Sequence, residues 1–195
     1  MPSEDELLQT LQNFTTDVNG TLREKKDTNY FHNHESYEIN YNYGQDKVTL
    51  TVYFQLVPER GRGPYTTKYT RIEVPFSNAK GIFFKMTMAS GLSRLFNLFK
   101  ISRVKTGNER FDSKFHLTGT PAELVKLLFL KQEIYQAICD FDDVYLTISN
   151  NKDNPNIVLK PNQSILQINI NYILRSKDEF MKLNRLAIGI IESIL

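Results

Sequence analysis

The feature that most constrains the fold is an alternation of apolar and polar side chains in two runs, over residues 37–43 and 48–56. Apolar residues occupy every second position, with Gly44 in the connection between two runs: Tyr37, Ile39, Tyr41 and Tyr43, then Val48, Leu50, Val52, Phe54 and Leu56. Alternate residues of an extended chain share a face, so two such runs around a glycine-containing turn predict an antiparallel hairpin with one buried face.

The rest of the chain alternates between helical and extended patterns. Ser3 and Glu6 have capping-box spacing, and the apolar residues that follow predict a helix over 3–25. Further strands are expected at 68–76, 82–88, 108–117, 144–149, 156–160 and 163–172, and further helices at 90–105, 121–139 (broken near Lys131) and 177–195.

These elements follow the order α-β4-α-β-αα-β3-α. Strands joined by short turns are antiparallel neighbours, so the order predicts an α+β fold. We expect one or more antiparallel sheets of about eight strands, covered by N-terminal, central and C-terminal helices. The 195 residues suffice for a single domain over 1–195. Two lobes, 1–105 and 106–195, sharing a sheet, remain an alternative.

The stretch "TGNERFDSKFHLTG", residues 106–119, concentrates phenylalanines and charges between glycines. In an extended chain Phe111 and Phe115 would face the core, whereas Arg110, Asp112 and His116 would face solvent. We therefore predict a strand here. A structural role is expected for four residues, because an aspartate without a converging base, metal or nucleophile is not a catalytic site: Gly107, Phe111, Asp112 and Phe115.

The same stretch resembles a set of uncharacterised bacterial domains. Its members have a short helix followed by Gly-Asn/Asp-x-x-Phe-Asp-x-x-Phe, a strand and a helix. The matching positions are Gly107, Asn108, Phe111, Asp112 and Phe115, and the resemblance covers about residues 80–195. It implies bacterial origin and a related fold, and it carries no assigned activity.

Charge is unevenly distributed along the chain. Residues 1–59 hold four basic and ten acidic side chains, whereas residues 60–105 hold ten basic and one acidic. The basic segment either is neutralised by the acidic one or forms a surface for an anionic partner. The candidate anion-binding or lipid-binding residues are Arg60, Arg62, Arg94, Lys100, Arg103 and Lys105.

Three kinds of anionic partner fit the basic segment. An apolar stripe beside its basic residues is typical of a helix on an anionic membrane, although it would equally pack on a sheet: Leu92, Leu95, Phe96 and Phe99. Aromatic residues interleaved with basic ones suit single-stranded nucleic acid, which the acidic first segment would oppose: Tyr65, Tyr69, Phe83 and Phe84. The loop "PERGRGP" could meet a phosphate or simply join two strands.

The clusters of histidine and acidic side chains predict no metal site, no cofactor and no catalytic residue. His32, His34 and Glu35 could contribute to a zinc site only with a distant third ligand such as His116. An acidic turn holds Asp140, Asp142 and Asp143 without the glycine and glutamate of a calcium loop. We therefore predict that the chain is not an enzyme.

The sequence predicts a cytoplasmic protein. Its only cysteine, Cys139, cannot form an internal disulfide, and no apolar run approaches the length of about 20 residues that spans a bilayer. The N-terminus is acidic, unlike a secretory signal.

We expect a non-enzymatic protein-interaction or scaffold module. Either the acidic first helix or the apolar last helix would meet a protein partner or a second copy. The alternative is binding of an anionic ligand, a lipid surface or, with less support, nucleic acid through residues 60–105.

Overall fold

The computed structural model describes residues 3–29, 32–57, 65–89, 103–150 and 159–195. The helices within these ranges are α1 (Glu4–Asp17), α2 (Glu109–Lys114), α3 (Ala122–Leu130), α4 (Gln132–Cys139) and α5 (Lys177–Ile194). The strands are β1 (Thr21–Asn29), β2 (His32–Tyr43), β3 (Asp46–Val57), β4 (Tyr65–Ser77), β5 (Phe83–Met88), β6 (Phe115–Thr120), β7 (Val144–Ser149) and β8 (Gln163–Ile170). The predicted α+β class is confirmed.

The eight strands form one antiparallel sheet in the order β1-β2-β3-β4-β8-β7-β5-β6. Strands β1 to β4 pair as consecutive antiparallel neighbours, and β5 pairs antiparallel with both β6 and β7. The predicted hairpin is β2–β3, with Tyr43 opposite Asp46 and Gly44 at a φ of 60° in its turn. A positive φ suits glycine, which has no Cβ to clash with the backbone.

The predicted N-terminal helix over 3–25 is wrong in its second half. The capping box at Ser3 and Glu6 is present, but α1 ends at Asp17. Asn19 has a φ of 50°, which a helix does not accommodate, and the chain then enters the sheet as its first strand, β1. The sequence conceals β1 because Arg23–Lys26 are four consecutive charged residues, and all four are exposed on the end strand of the sheet.

The predicted order of elements is wrong at one other point, and two further predicted elements lie mostly outside the described residues. Residues 109–114 form α2 instead of a strand, and the extended segment begins only at Phe115. The helix predicted over 90–105 lies outside the described residues up to position 102, and Arg103 forms an isolated bridge to Thr118. The strand predicted over 156–160 lies outside them up to position 158, and residues 159–160 are not part of a strand.

The predicted interruption near Lys131 is confirmed. Lys131 has a ψ of 123°, an extended value, and separates α3 from α4. Because the helix stops there, α3 and α4 are independent short helices that can present different faces.

One compact unit comprises Met1–Val74 and Asn169–Asn184. Its core places Phe14 of α1 edge-on to Tyr41, with ring centroids 6.1 Å apart, and 5.7 Å from the ring of Phe180. The Tyr41 hydroxyl donates to Asn184 Oδ1 at 2.6 Å, which satisfies the polar end of a buried ring.

The second unit comprises Pro75–Ile168 and Arg185–Leu195. Phe129 of α3 packs edge-on against Phe84 of β5 at 5.0 Å and lies 5.4 Å from the ring of Phe111. Gly119 of β6 permits the close approach of β5 and α3, because an added Cβ would lie 2.6 Å from the Phe83 carbonyl oxygen and 3.0 Å from Val125 Cγ2. Within the described ranges, none of the helices has the length and apolar character that crossing a membrane requires.

Candidate functional site

The motif at residues 106–119 folds as a capped helical turn followed by a strand. Asn108 is the N-cap of α2, and its Oδ1 accepts from the amides of Arg110 at 3.1 Å and Phe111 at 3.2 Å. Phe111 and Phe115 are buried, as expected, with ring centroids 5.0 Å apart. The extended conformation predicted for 109–114 is wrong because asparagine caps a helix here and a four-residue spacing suits a helix as well as a strand.

The Asp112 carboxylate holds the loop that precedes α2. It accepts from the amide and hydroxyl of Thr106 and from the amide of Gly107, each at 3.0 Å. Burial alone would raise the pKa of Asp112, but these hydrogen bonds outweigh it and leave the pKa below its ordinary value. Gly107 has a φ of 89°, a conformation that favours glycine. These contacts describe a structural carboxylate.

Arg103 connects α2 to β6 through its side chain. Its Nη2 donates to the backbone carbonyl oxygens of Asp112 and Phe115. Nε is buried without a hydrogen-bond partner among the described residues. Burial first, and then the Arg103 charge, lowers the pKa of His116. Arg110 is exposed.

Four of the six predicted anion-binding residues lie outside the described residues: Arg60, Arg62, Arg94 and Lys100. Of the other two, Lys105 is exposed and Arg103 makes the carbonyl contacts above. The strand register places Arg103 on the same face of the sheet as two residues that were not in this set. Lys85 and Arg103 are both paired with Thr118, and His116 is on the same face of β6.

Of the residues considered for zinc, His34 does not converge with Glu35. The His34 ring stacks on Tyr53 at 5.8 Å, whereas the neighbouring Glu35 accepts from Tyr37 at 2.8 Å and pairs with Lys26 at 3.0 Å. Adjacent residues of a strand point to opposite faces, so the two side chains are separated. Over the described ranges, no three His, Cys, Asp or Glu side chains are grouped so as to hold a metal ion.

A row of aromatic rings crosses β2, β3 and β4. Tyr53 stacks on Tyr69 with centroids 4.8 Å apart and planes 18° apart, and the Arg71 guanidinium lies 4.8 Å above the Tyr69 ring. Arg71 Nε also donates to Asn169 Oδ1 at 2.8 Å. The faces of these rings already cover one another. Base stacking on Tyr69, one of the interleaved aromatics, therefore gains no support from this arrangement.

An apolar face of α3 is exposed. Leu124, Leu127 and Leu130 are 37%, 59% and 46% exposed. On the opposite side of the same helix, Val125, Leu128 and Phe129 are buried. We call the three exposed residues the leucine face. Exposed leucines at regular three-residue spacing on one helix are the kind of surface that meets another protein.

Neither helix that the sequence suggested for protein contact exposes its apolar residues in the same way. Leu7, Leu11 and Phe14 of α1 are buried. Most apolar residues of α5 are also buried: Phe180, Leu183, Leu186, Ala187, Ile190, Ile191 and Ile194. The apolar surface that the described residues offer therefore lies mainly on α3, with the terminal Leu195 as a separate exposed position.

The sequence contained a signal for the leucine face that was not used. Seven of the nine residues of α3 are apolar. A helix packed on one side needs only three or four apolar residues in two turns, so the surplus had to be exposed. Which of them faces solvent depends on the side that meets the sheet, which the sequence does not reveal.

Comparison with protein-family models, with curated proteins and with solved structures finds no match for this chain.

Proposed function

We propose that the chain is a non-enzymatic protein-interaction module that binds through the leucine face of α3. The observation that supports this is the exposure of Leu124, Leu127 and Leu130 on one side of a single helix. Scattered exposed leucines are common, whereas a contiguous apolar patch on a soluble domain is typical of an interaction surface.

Burying the leucine face against a partner would contribute favourably to the free energy of binding. The exposed fractions of the three leucines together exceed one whole residue, and burying one leucine side chain is worth about 1.5–3 kcal/mol. A partner that covers all three would gain about 2–4 kcal/mol from them alone. Additional contacts around the face would set the final affinity.

The helix α3, which carries the leucine face, is held in place by the packing of its buried side. Phe129 contacts Phe84 and Phe111, and Val125 lies against the backbone of β6 at Gly119. A surface fixed in this way loses little conformational entropy on binding, so more of the burial energy becomes affinity.

The contacts of Asp112 do not favour a catalytic role for this carboxylate. Its carboxylate is engaged by Thr106 and Gly107, so it is not poised to move a proton to a substrate.

Affinity capture with three versions of the chain tests the proposal. We expect wild type to retain a protein, including further copies of itself, that Leu127→Asn binds about fivefold to twentyfold more weakly. Leu195→Asn is the matched control, because Leu195 is 68% exposed and lies outside the leucine face. If all three versions retain the same proteins in equal amounts, the leucine face is not the interaction surface.

A second candidate function is binding of phosphate groups on the polar face of β5 and β6. Lys85 and Arg103 flank Thr118 from its two sides, and His116 shares their face. Two cations and a titratable imidazole on one sheet face attract anions in a salt-dependent way.

Binding of a single-stranded oligonucleotide and of anionic phospholipid vesicles, each measured at low and high salt, tests this second function. We expect Lys85→Ala to weaken binding several-fold at low salt, with the loss disappearing at high salt. Because the pKa of His116 is lowered from its ordinary 6.5, binding should strengthen only as the pH falls below that value. Equal binding by wild type and Lys85→Ala at low salt would exclude this face.

A further inference from the structure

We infer that the leucine face binds a second copy of this chain, with two α3 helices packed antiparallel about a two-fold axis through Leu127. This inference rests on the proposed function, because it uses the same surface and names what covers it.

The sequence around Leu127 is self-complementary. The segment Glu123-Leu124-x-x-Leu127-x-x-Leu130-Lys131 has leucines three residues before and after its centre, an acid four before and a base four after. In an antiparallel pair centred on Leu127, Leu124 therefore faces Leu130 of the second copy, and Glu123 faces Lys131 of the second copy. Both relations occur twice, as an isologous interface requires.

Glu123 and the three leucines lie on one side of α3, and Lys131 is the residue that directly follows its C-terminal end. At 3.6 residues per turn, residues 123, 124 and 130 fall within about 60° of Leu127 around the helix axis. All five residues are exposed. The intervening Val125, Leu128 and Phe129 are buried in the same unit of the protein, so they cannot take part in the contact.

The charges favour a second copy over an unrelated partner. An acid at one end and a base at the other match the same arrangement read in the opposite direction, whereas in a parallel pair like charges would face each other. Glu123 in the first turn of α3 also interacts favourably with the positive end of its own helix.

The contact predicts a weak dimer. Three leucines and two charged residues per copy provide less surface than the roughly 800 Å² per partner of a standard stable interface. We therefore expect a dissociation constant in the micromolar to millimolar range, with association that persists at high salt because its centre is apolar.

Charge reversal of the purified chain tests the arrangement by sedimentation velocity. Glu123→Lys alone and Lys131→Glu alone each place like charges together at both ends of a homodimer, so each variant should dimerise about tenfold more weakly than wild type. Mixed together, the two variants should form a heterodimer, since both end pairs are then opposite in charge. Glu133→Lys is the matched control on α4 and should dimerise like wild type.

Cysteine cross-linking tests the position of the axis. Antiparallel helices with axes about 8–10 Å apart bring the Cα atoms at the crossing point to about 3.4–5.4 Å, which overlaps the range of about 4.4–6.8 Å that a disulfide spans. In a Cys139→Ser background, Leu127→Cys should form a covalent dimer on mild oxidation, and Leu195→Cys should not. Equal cross-linking of the two variants would contradict the arrangement.

The outcomes separate this inference from the proposed function. A wild-type chain that stays monomeric at millimolar concentration, while affinity capture still depends on Leu127, overturns the second copy and leaves the interaction surface standing. Dimerisation unchanged by Glu123→Lys and by Lys131→Glu overturns the antiparallel arrangement. Dimerisation unchanged by Leu127→Asn overturns the inference, and unchanged capture in addition overturns the proposed function.

Discussion

The close packing of α3 on the sheet depends on Gly119, which has no side chain. An added Cβ would lie 2.6 Å from the Phe83 carbonyl oxygen, 2.8 Å from Phe84 Cβ and 3.0 Å from Val125 Cγ2. Two of these neighbours belong to β5, where the backbone cannot move without disturbing strand pairing.

Gly119→Ala should therefore lower the free energy of unfolding by about 1–3 kcal/mol, the usual cost of overpacking. Gly189→Ala is the matched control, because nothing lies within 4 Å of its Cβ position, and it lies within α5. There the alanine should stabilise the protein by about 0.5–1 kcal/mol. Urea unfolding of the two variants measures the difference. Equal stabilities would show that α3 does not depend on close packing at Gly119.

At the scale of elements, the sequence predicts those helices and strands whose residue pattern is compatible with only one conformation. The β2–β3 hairpin, β7, the start of α5 and the break at Lys131 were all predictable, because alternation or helical spacing is clear there. The strand β1 was not predictable from the sequence, since an end strand with charges on both faces shows no alternation of apolar and polar residues. The leucine face was not predictable either, because the exposure of a side chain depends on tertiary packing.

The helix α2 was missed for a different reason, which leads to a test. The spacing of Phe111 and Phe115 suits both conformations, and the Asn108 side chain decides between them by capping two amides. Asn108→Ala should lower the free energy of unfolding by about 1 kcal/mol, whereas Asn108→Asp should be nearly neutral. Chemical denaturation compares them, and equal losses in both variants would show that capping is not what selects the helix.

At the scale of the whole molecule, several groups make stability depend on pH in the same direction. Glu35 and Glu38 each have a pKa that burial alone would raise, but hydrogen bonds from Tyr37 and Lys26 to Glu35, and from Lys25 and Asn40 to Glu38, lower it. A carboxyl whose pKa is depressed by folding contributes stability above its ordinary pKa, and that stability is lost as the pH falls through the folded value. Asp112 behaves in the same way.

We therefore expect the free energy of unfolding to be flat between pH 7 and pH 8 and to fall in acid. The decline should begin below the ordinary 6.5 of His116, whose lowered pKa disfavours its charged form in the folded state, and steepen below the ordinary 4.5 of glutamate. Urea unfolding across this range measures it. His116→Gln should remove the first part of the decline and leave the second, and a protein equally stable at pH 4 and pH 7 would contradict the assignment.

The charged end strand has a consequence for concentrated solutions. Any chain that tried to extend the sheet beyond β1 would have to strip water from Arg23, Glu24, Lys25 and Lys26, which are exposed in succession. The cost of that dehydration closes this end of the sheet to fibril growth.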